Sequence, residues 1–134
     1  MKAITLWEPW ATLIALGHKK YETRHWKTRW RGNIAIHAAK RWKPDQINIF
    51  NRLRERCPEL SDYTIDDLSF GCVVAACRIV TIHRTEDVRA GLSLLERVGG
   101  NYENGRYAWE LEIVRLPPEP IPAKGQQGLW EWTR

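Results

Sequence analysis

The run Cys72-Val73-Val74-Ala75-Ala76-Cys77-Arg78-Ile79-Val80-Thr81-Ile82-His83 constrains the fold more than any other stretch. It is long and apolar, and it lacks the strict alternation of a strand with one wet face. It therefore reads as a strand buried on both sides. A chain of 134 residues supplies one core rather than two, so a single domain, residues 1–134, is expected around it.

Shorter elements surround this run. Lys2 to Thr5 reads as an opening strand. Pro9 suits a first helical position, Trp10, Leu13 and Ile14 follow at helical spacing, and Gly17 supplies the stop. Tyr21 to Trp26 and Asn33 to Ala38 read as strands, the second with Ile34, Ile36 and Ala38 on one face and Asn33, Ala35 and His37 on a polar one. Pro44 opens a helix to about Cys57, with Ile47, Phe50, Leu53 and Cys57 as its apolar stripe, and Pro58 ends it. Thr64 caps a single turn to Leu68.

Thr85 is expected to cap one helix whose stripe is Val88, Leu92, Leu95 and Val98, stopped by Gly99-Gly100. Asn104-Gly105 signals a tight turn before the clearest alternating strand, Tyr107, Trp109, Leu111 and Ile113. The prolines from Pro117 to Pro122 enforce extended chain, and Leu129 to Thr133 closes the sequence as a strand. Five or six strands with helices inserted between them, without strict alternation, define an α+β domain on a small closed sheet.

Charge is concentrated elsewhere. Between Lys19 and Lys43, nine basic residues face one carboxylate, Glu22, while the whole chain carries +5. The rest of the chain is therefore net negative. Trp26, Trp30 and Trp42 lie among these cations, and cations beside flat aromatic surfaces suit a polyanion whose bases stack. A plain solvated basic face is the competing reading.

Gly17-His18-Lys19-Lys20-Tyr21-Glu22-Thr23-Arg24 resembles the G-x-K-x-x-E-x-R signature of the ASCH family, a branch of the PUA-like β-barrels. The resemblance extends along the chain. It includes Trp7, Pro9, Trp10 and Ala11 at the first helix, the strand from Gly32 to Ala38, and Phe70-Gly71-Cys72-Val73-Val74. Tyr107-Ala108-Trp109, Pro120-Ile121-Pro122, Lys124-Gly125 and Gly128-Leu129-Trp130 resemble the family's closing hairpin. Residues 44–69 and 85–103 resemble inserted helices.

The family implies a small PUA-like β-barrel with a cleft beside the first helix, lined by the signature, and a role in RNA binding or RNA metabolism. Some members hydrolyse the acetyl amide of N4-acetylcytidine with a lysine, a threonine and a glutamate, and some cut RNA. The lysine matches Lys19, the threonine's position holds Glu22, and the glutamate has no matched position.

Three readings follow. The first is a module binding RNA or a nucleotide through a basic cleft, with Lys19, Lys20, Arg24, Trp26, Lys27, Arg29, Arg31, Lys40 and Lys124 as contacts. The second is a small hydrolase, either an N4-acetylcytidine amidohydrolase or a ribonuclease. In it Lys19, Glu22 and Arg24 would be catalytic: Glu22 activates water while the two cations stabilise negative charge. The third is an interaction domain for an acidic protein. Against the first two stands a purely structural salt bridge tying helix end to strand. Trp7 is expected in the core, Trp26 fits core and stacking equally, and Trp109, Trp130 and Trp132 are core by alternation.

Other chemistries find no support. Cys57 stands alone, and Cys72 and Cys77, five apart on one strand, point to opposite faces. Nothing has zinc-ligand spacing, and no phosphate-binding loop is present, so no metal or cofactor is expected. No stretch approaches the roughly 20 apolar residues of a membrane span. Glu8 and Pro9 interrupt any leader-like segment, and a reducing, cytoplasmic setting is expected.

Overall fold

The computed structural model describes residues 1–133. The chain runs β1 (Lys2–Leu6), α1 (Trp10–Ala15), β2 (Tyr21–Arg24), β3 (Asn33–Ala38) and α2 (Pro44–Arg56). Two 3-10 turns, Pro58–Leu60 and Ile65–Asp67, lead to the long β4 (Cys72–Arg84). The short helices α3 (Thr85–Val88) and α4 (Leu94–Val98), then β5 (Tyr107–Arg115), β6 (Ile121–Pro122) and β7 (Leu129–Glu131), complete it.

β4 organises the sheet, pairing antiparallel with β3, β5 and β6. β1 joins β3 in parallel and β7 antiparallel, giving the order β2-β5-β4-β3-β1-β7. Register shifts between Ala76 and Cys77 and between Ile79 and Thr81 bend β4, as bulges do, and the sheet curls into a half-barrel. It is not the closed sheet expected. Among the described residues seven strands form, and the end strands β2 and β7 do not pair. β6 and β7 are too short to complete a wall.

The hollow of the sheet is filled by Ile4, Ile34, Ile36, Ile79 and Trp109, with Ala11 and Ile14 of α1 closing it. Trp109 is fully buried, and its indole N–H donates to Trp26 O at 3.3 Å. On the opposite face Ala3, Ala35 and Val73 meet Trp130, Ile121 and Ala123. The C-terminal segment thus covers β1, β3 and the start of β4. That covering overturns the expected polar face of β3, because Ala35 and His37 are as buried as their neighbours. Two-sided burial of β4 is confined to residues 73–75: Ala76 is half-buried, Arg78 is exposed, and beyond Ile79 the strand is half-buried up to an exposed Arg84. The expectation of a strand buried on both sides along its length does not hold.

Two further expectations change. The helix expected from Thr85 to Val98 breaks at Gly91, whose φ of +81° favours glycine, and restarts where Ser93 Oγ accepts from Glu96 N at 3.2 Å. Val98 is consequently exposed, and Thr85 does not cap but donates its hydroxyl to Glu103 O. Trp7 is 44% exposed rather than in the core, because Leu6 and Glu8 occupy the inward positions on either side of it.

Candidate functional site

Gly17 turns the chain out of α1 with φ +83°, and the amides of His18 and Lys19 both donate to Leu13 O. This turn sends Lys19 inward. Its side chain has no solvent exposure, and Nζ lies 2.9 Å from Glu96 Oε1. The other oxygen of Glu96 accepts the Lys20 amide at 2.6 Å. One carboxylate on α4 therefore secures two successive residues of the turn between α1 and β2. The Trp10 ring centroid lies 6.0 Å from the same ammonium.

Glu22 and Arg24 lie on one face of β2, as alternation requires. Arg24 Nε donates to Glu22 Oε2 at 2.9 Å, and its Nη2 donates to Thr5 O, also at 2.9 Å. The second bond crosses the open seam of the half-barrel from β2 to β1. Burial raises the Glu22 carboxyl above the ordinary carboxylate value, and attraction to Arg24, Lys19 and Arg106 only partly offsets it. The three signature side chains thus sense one another, while each cation has its own oxygen partners. A cavity of about 400 Å³ beside them is lined by His18, Lys20, Tyr21, Ser93 and Glu96, and by none of those three.

A larger open cavity, about 990 Å³, lies at the C-terminal ends of β1 and β3. Thr5 and His37 line it, together with Lys40, Arg41, Phe70 and Lys124. Among the described residues, three cations and no carboxylate line this space. His37 Nε2 is 2.7 Å from Ala123 O, which can only accept, so this nitrogen carries a proton. With Nε2 as donor on the neutral ring, Nδ1 accepts from the Thr5 hydroxyl at 3.1 Å, and Thr5 Oγ1 accepts the Trp130 indole N–H at 3.1 Å. The loop after β6 is held close, since a Cβ on Gly125 would lie 2.6 Å from His37 Cε1.

Gly71 joins the two rims of this cavity. Its amide donates to Ala38 O at 2.8 Å and its carbonyl accepts from Ala123 N at 3.0 Å. The stem of Lys40 packs against it, and a Cβ there would meet Lys40 Cβ and Cγ at 3.4 Å. Glu8 anchors the approach to Gly71. Fully buried, it accepts from Thr12 N and Ser69 N at 2.8 Å each, and from the Thr12 hydroxyl. Burial raises its carboxyl above the ordinary range against those hydrogen bonds.

The remaining expected contacts are dispersed. Lys20, Lys27 and Arg29 are exposed, and so is Arg31, whose Nη1 donates to Thr28 O and Trp30 O. Trp26 is half-buried and packs edge-on against the core residue Trp109, with centroids 4.9 Å apart. Lys40 and Lys124 line the larger cavity. Glu96 and Glu8 were missed; each is a charge set among apolar residues, next to Leu95 and between Trp7 and Pro9. Among the described residues no cluster of metal-ligating side chains occurs, and burial pushes the Cys77 thiol up to about 12.

Residues 4–118 match the ASCH domain. The chain belongs to the ASCH family. Its curled mixed sheet with interspersed helices is the PUA-like architecture that the resemblance implied. The crystal structure of ASCH from Zymomonas mobilis shares this fold with a TM-score of 0.56 and 18% identity, covering 99% of this chain and 87% of that one. A tyrosine-to-phenylalanine variant of the Zymomonas mobilis protein, also 18% identical, gives 0.55 over 99% and 89%. A serine-to-alanine variant at the same identity gives 0.52 over 99% and 87%. No curated protein matches the chain.

Two outcomes follow from the signature of this ASCH domain. Lys19→Met leaves Glu96 buried without its cation, which should cost roughly 3–5 kcal/mol in urea unfolding. Adding Glu96→Leu to it should recover much of that loss, whereas additive single effects would contradict the pairing. Glu22 supplies a pH test. Its native carboxyl binds protons more tightly than in the unfolded chain, so its contribution is largest below about pH 4.5 and falls as pH rises through the raised native value. The stability of the wild type relative to Glu22→Gln should therefore decline over that window. A constant or rising difference would refute it.

Proposed function

We propose that this ASCH domain binds single-stranded RNA, or a nucleotide-sized anion, in the cavity between the ends of β1 and β3 and the loop 123–127. The observation that carries this reading is the lining, which brings Lys40, Arg41 and Lys124 around one space with no carboxylate among them. Cations so placed displace counterions from a phosphate chain. Lysines supply point charges there and Arg41 a planar fork that matches phosphate oxygens. The signature serves this cavity through its wall, because Arg24 holds the backbone of Thr5, whose hydroxyl orients His37. Arg29 and Arg31 are exposed at the other end of β3, before Asn33, and do not line this cavity.

A hydrolytic reading draws on a different observation. Glu22 has a carboxyl raised by burial and an arginine at 2.9 Å, the equipment for moving a proton and stabilising an oxyanion. Its side chain keeps 13% exposure, so a substrate has only a narrow approach. The cationic cavity makes binding the better-supported function. No helix among the described residues is long and apolar enough to cross a membrane.

Binding is tested by fluorescence anisotropy with a labelled uridine oligonucleotide across a salt series. Each phosphate neutralised contributes roughly −0.7 to the log–log slope for single strands. Lys40→Ala and Lys124→Ala should each weaken binding and flatten the slope by up to about 0.7. An unchanged slope, or no binding at low salt, would point instead to an acidic protein partner. Incubation with N4-acetylcytidine, and separately with RNA, should give no product. Turnover abolished by Glu22→Gln in a folded protein would establish the hydrolase.

A further inference from the structure

A second concavity adjoins the cationic one and shares Phe70 with it. It measures about 560 Å³ and is lined by Trp42, Pro44, Ile47, Asn48, Ile65 and Phe70. Its lining is apolar apart from the amide of Asn48, and it carries no charged side chain. Trp42 is 55% exposed, the highest value among the large hydrophobic side chains described. The same short segment, Lys40 to Trp42, supplies cations to the first cavity and the indole to the second.

This juxtaposition has the two parts a single-stranded nucleotide requires, a cationic seat for phosphate and an apolar aromatic slot for the base. We propose that the Trp42–Phe70 slot is a base-stacking subsite. It takes the base of a nucleotide whose phosphate rests against Lys40, Arg41 and Lys124. The inference rests on the binding function proposed above and adds to it the place and orientation of one nucleotide.

Charge sets the direction. Asp66 and Asp67 follow Ile65 and are exposed, so phosphate is repelled from that end of the slot and drawn to the Lys40 end. The base therefore points toward Ile65. Asn48 stands at the slot as a group able both to donate to and to accept from a base edge. The slot lies on α2 and on the segment before β4, apart from the side chains of Lys19, Glu22 and Arg24.

The experiment compares two probes, a uridine oligonucleotide and an abasic phosphodiester chain of the same length. Both are titrated against wild type, Trp42→Ala, Trp42→Phe, and Lys40→Ala/Lys124→Ala. Removing a stacking aromatic costs roughly 1–3 kcal/mol per base, which at about 1.4 kcal/mol per decade is a loss of about 5- to 150-fold. Trp42→Ala should weaken the uridine probe by that factor and leave the abasic chain unchanged, while Trp42→Phe keeps most of the affinity. The lysine variant should weaken both probes.

Equal loss on both probes in Trp42→Ala, or loss on neither, would overturn the subsite while leaving the proposed binding function in place. Binding of both probes unaffected by the lysine variant would overturn that function and the subsite with it. A wild type that binds neither probe has the same consequence. Trp42 is exposed, so its variants are not expected to unfold, and unchanged urea unfolding checks this.

Discussion

An ammonium group without solvent is tolerated only where an opposite charge and hydrogen bonds replace its water. Lys19 meets that demand through Glu96, and the architecture around the signature follows from it. Glu96 comes from α4, 77 positions away, so the pair joins an early turn to a late helix. The same carboxylate holds the Lys20 amide, which fixes where β2 begins. β2 in turn presents Glu22 and Arg24 on one face, and Arg24 reaches across the open seam to Thr5. A half-barrel whose end strands never pair is bridged at this point by a side chain.

The seam leads directly to the candidate site. Thr5 accepts Arg24 with its backbone, while its hydroxyl stands between His37 and Trp130. His37 then holds Ala123, which places the loop bearing Lys124 opposite Lys40. Gly71 joins the same strands from below, and Gly125 permits the loop to lie against the imidazole. The signature residues thus hold the walls of the cavity, and the exposed Lys40, Arg41 and Lys124 line it. Lys19 contributes through its buried position, since its charge is already matched.

Elements fixed by local chemistry were legible in the sequence. Pro44 and Pro58 bracket α2, Asn104-Gly105 turns the chain, and alternation from Tyr107 to Leu111 places Trp109 in the core. Family resemblance added the PUA-like architecture. What escaped was long-range or depended on cover. Nothing near Lys19 points to Glu96, because their pairing needs the α3–α4 segment to break at Gly91 and fold back. His37 reads as polar surface until the C-terminal segment is laid across β3. Trp7 reads as core because an apolar side chain does not reveal which face of an extended segment it takes. Lys40 and Lys124 were legible as cations, but their convergence with Arg41 on one cavity is a property of the Gly71 junction.

The central claim is that the signature frames the site while the ligand sits at the cavity between Lys40 and Lys124. Backbone amide chemical-shift mapping tests it most directly, with isotope-labelled protein titrated with a uridine oligonucleotide at low salt. The account predicts that the largest shifts cluster at residues 39–42, 70–72 and 123–127. Little change should occur at residues 92–96. Shifts concentrated at His18, Lys20 and residues 92–96, with the other three segments unmoved, would contradict it and place the ligand in the smaller cavity beside α4.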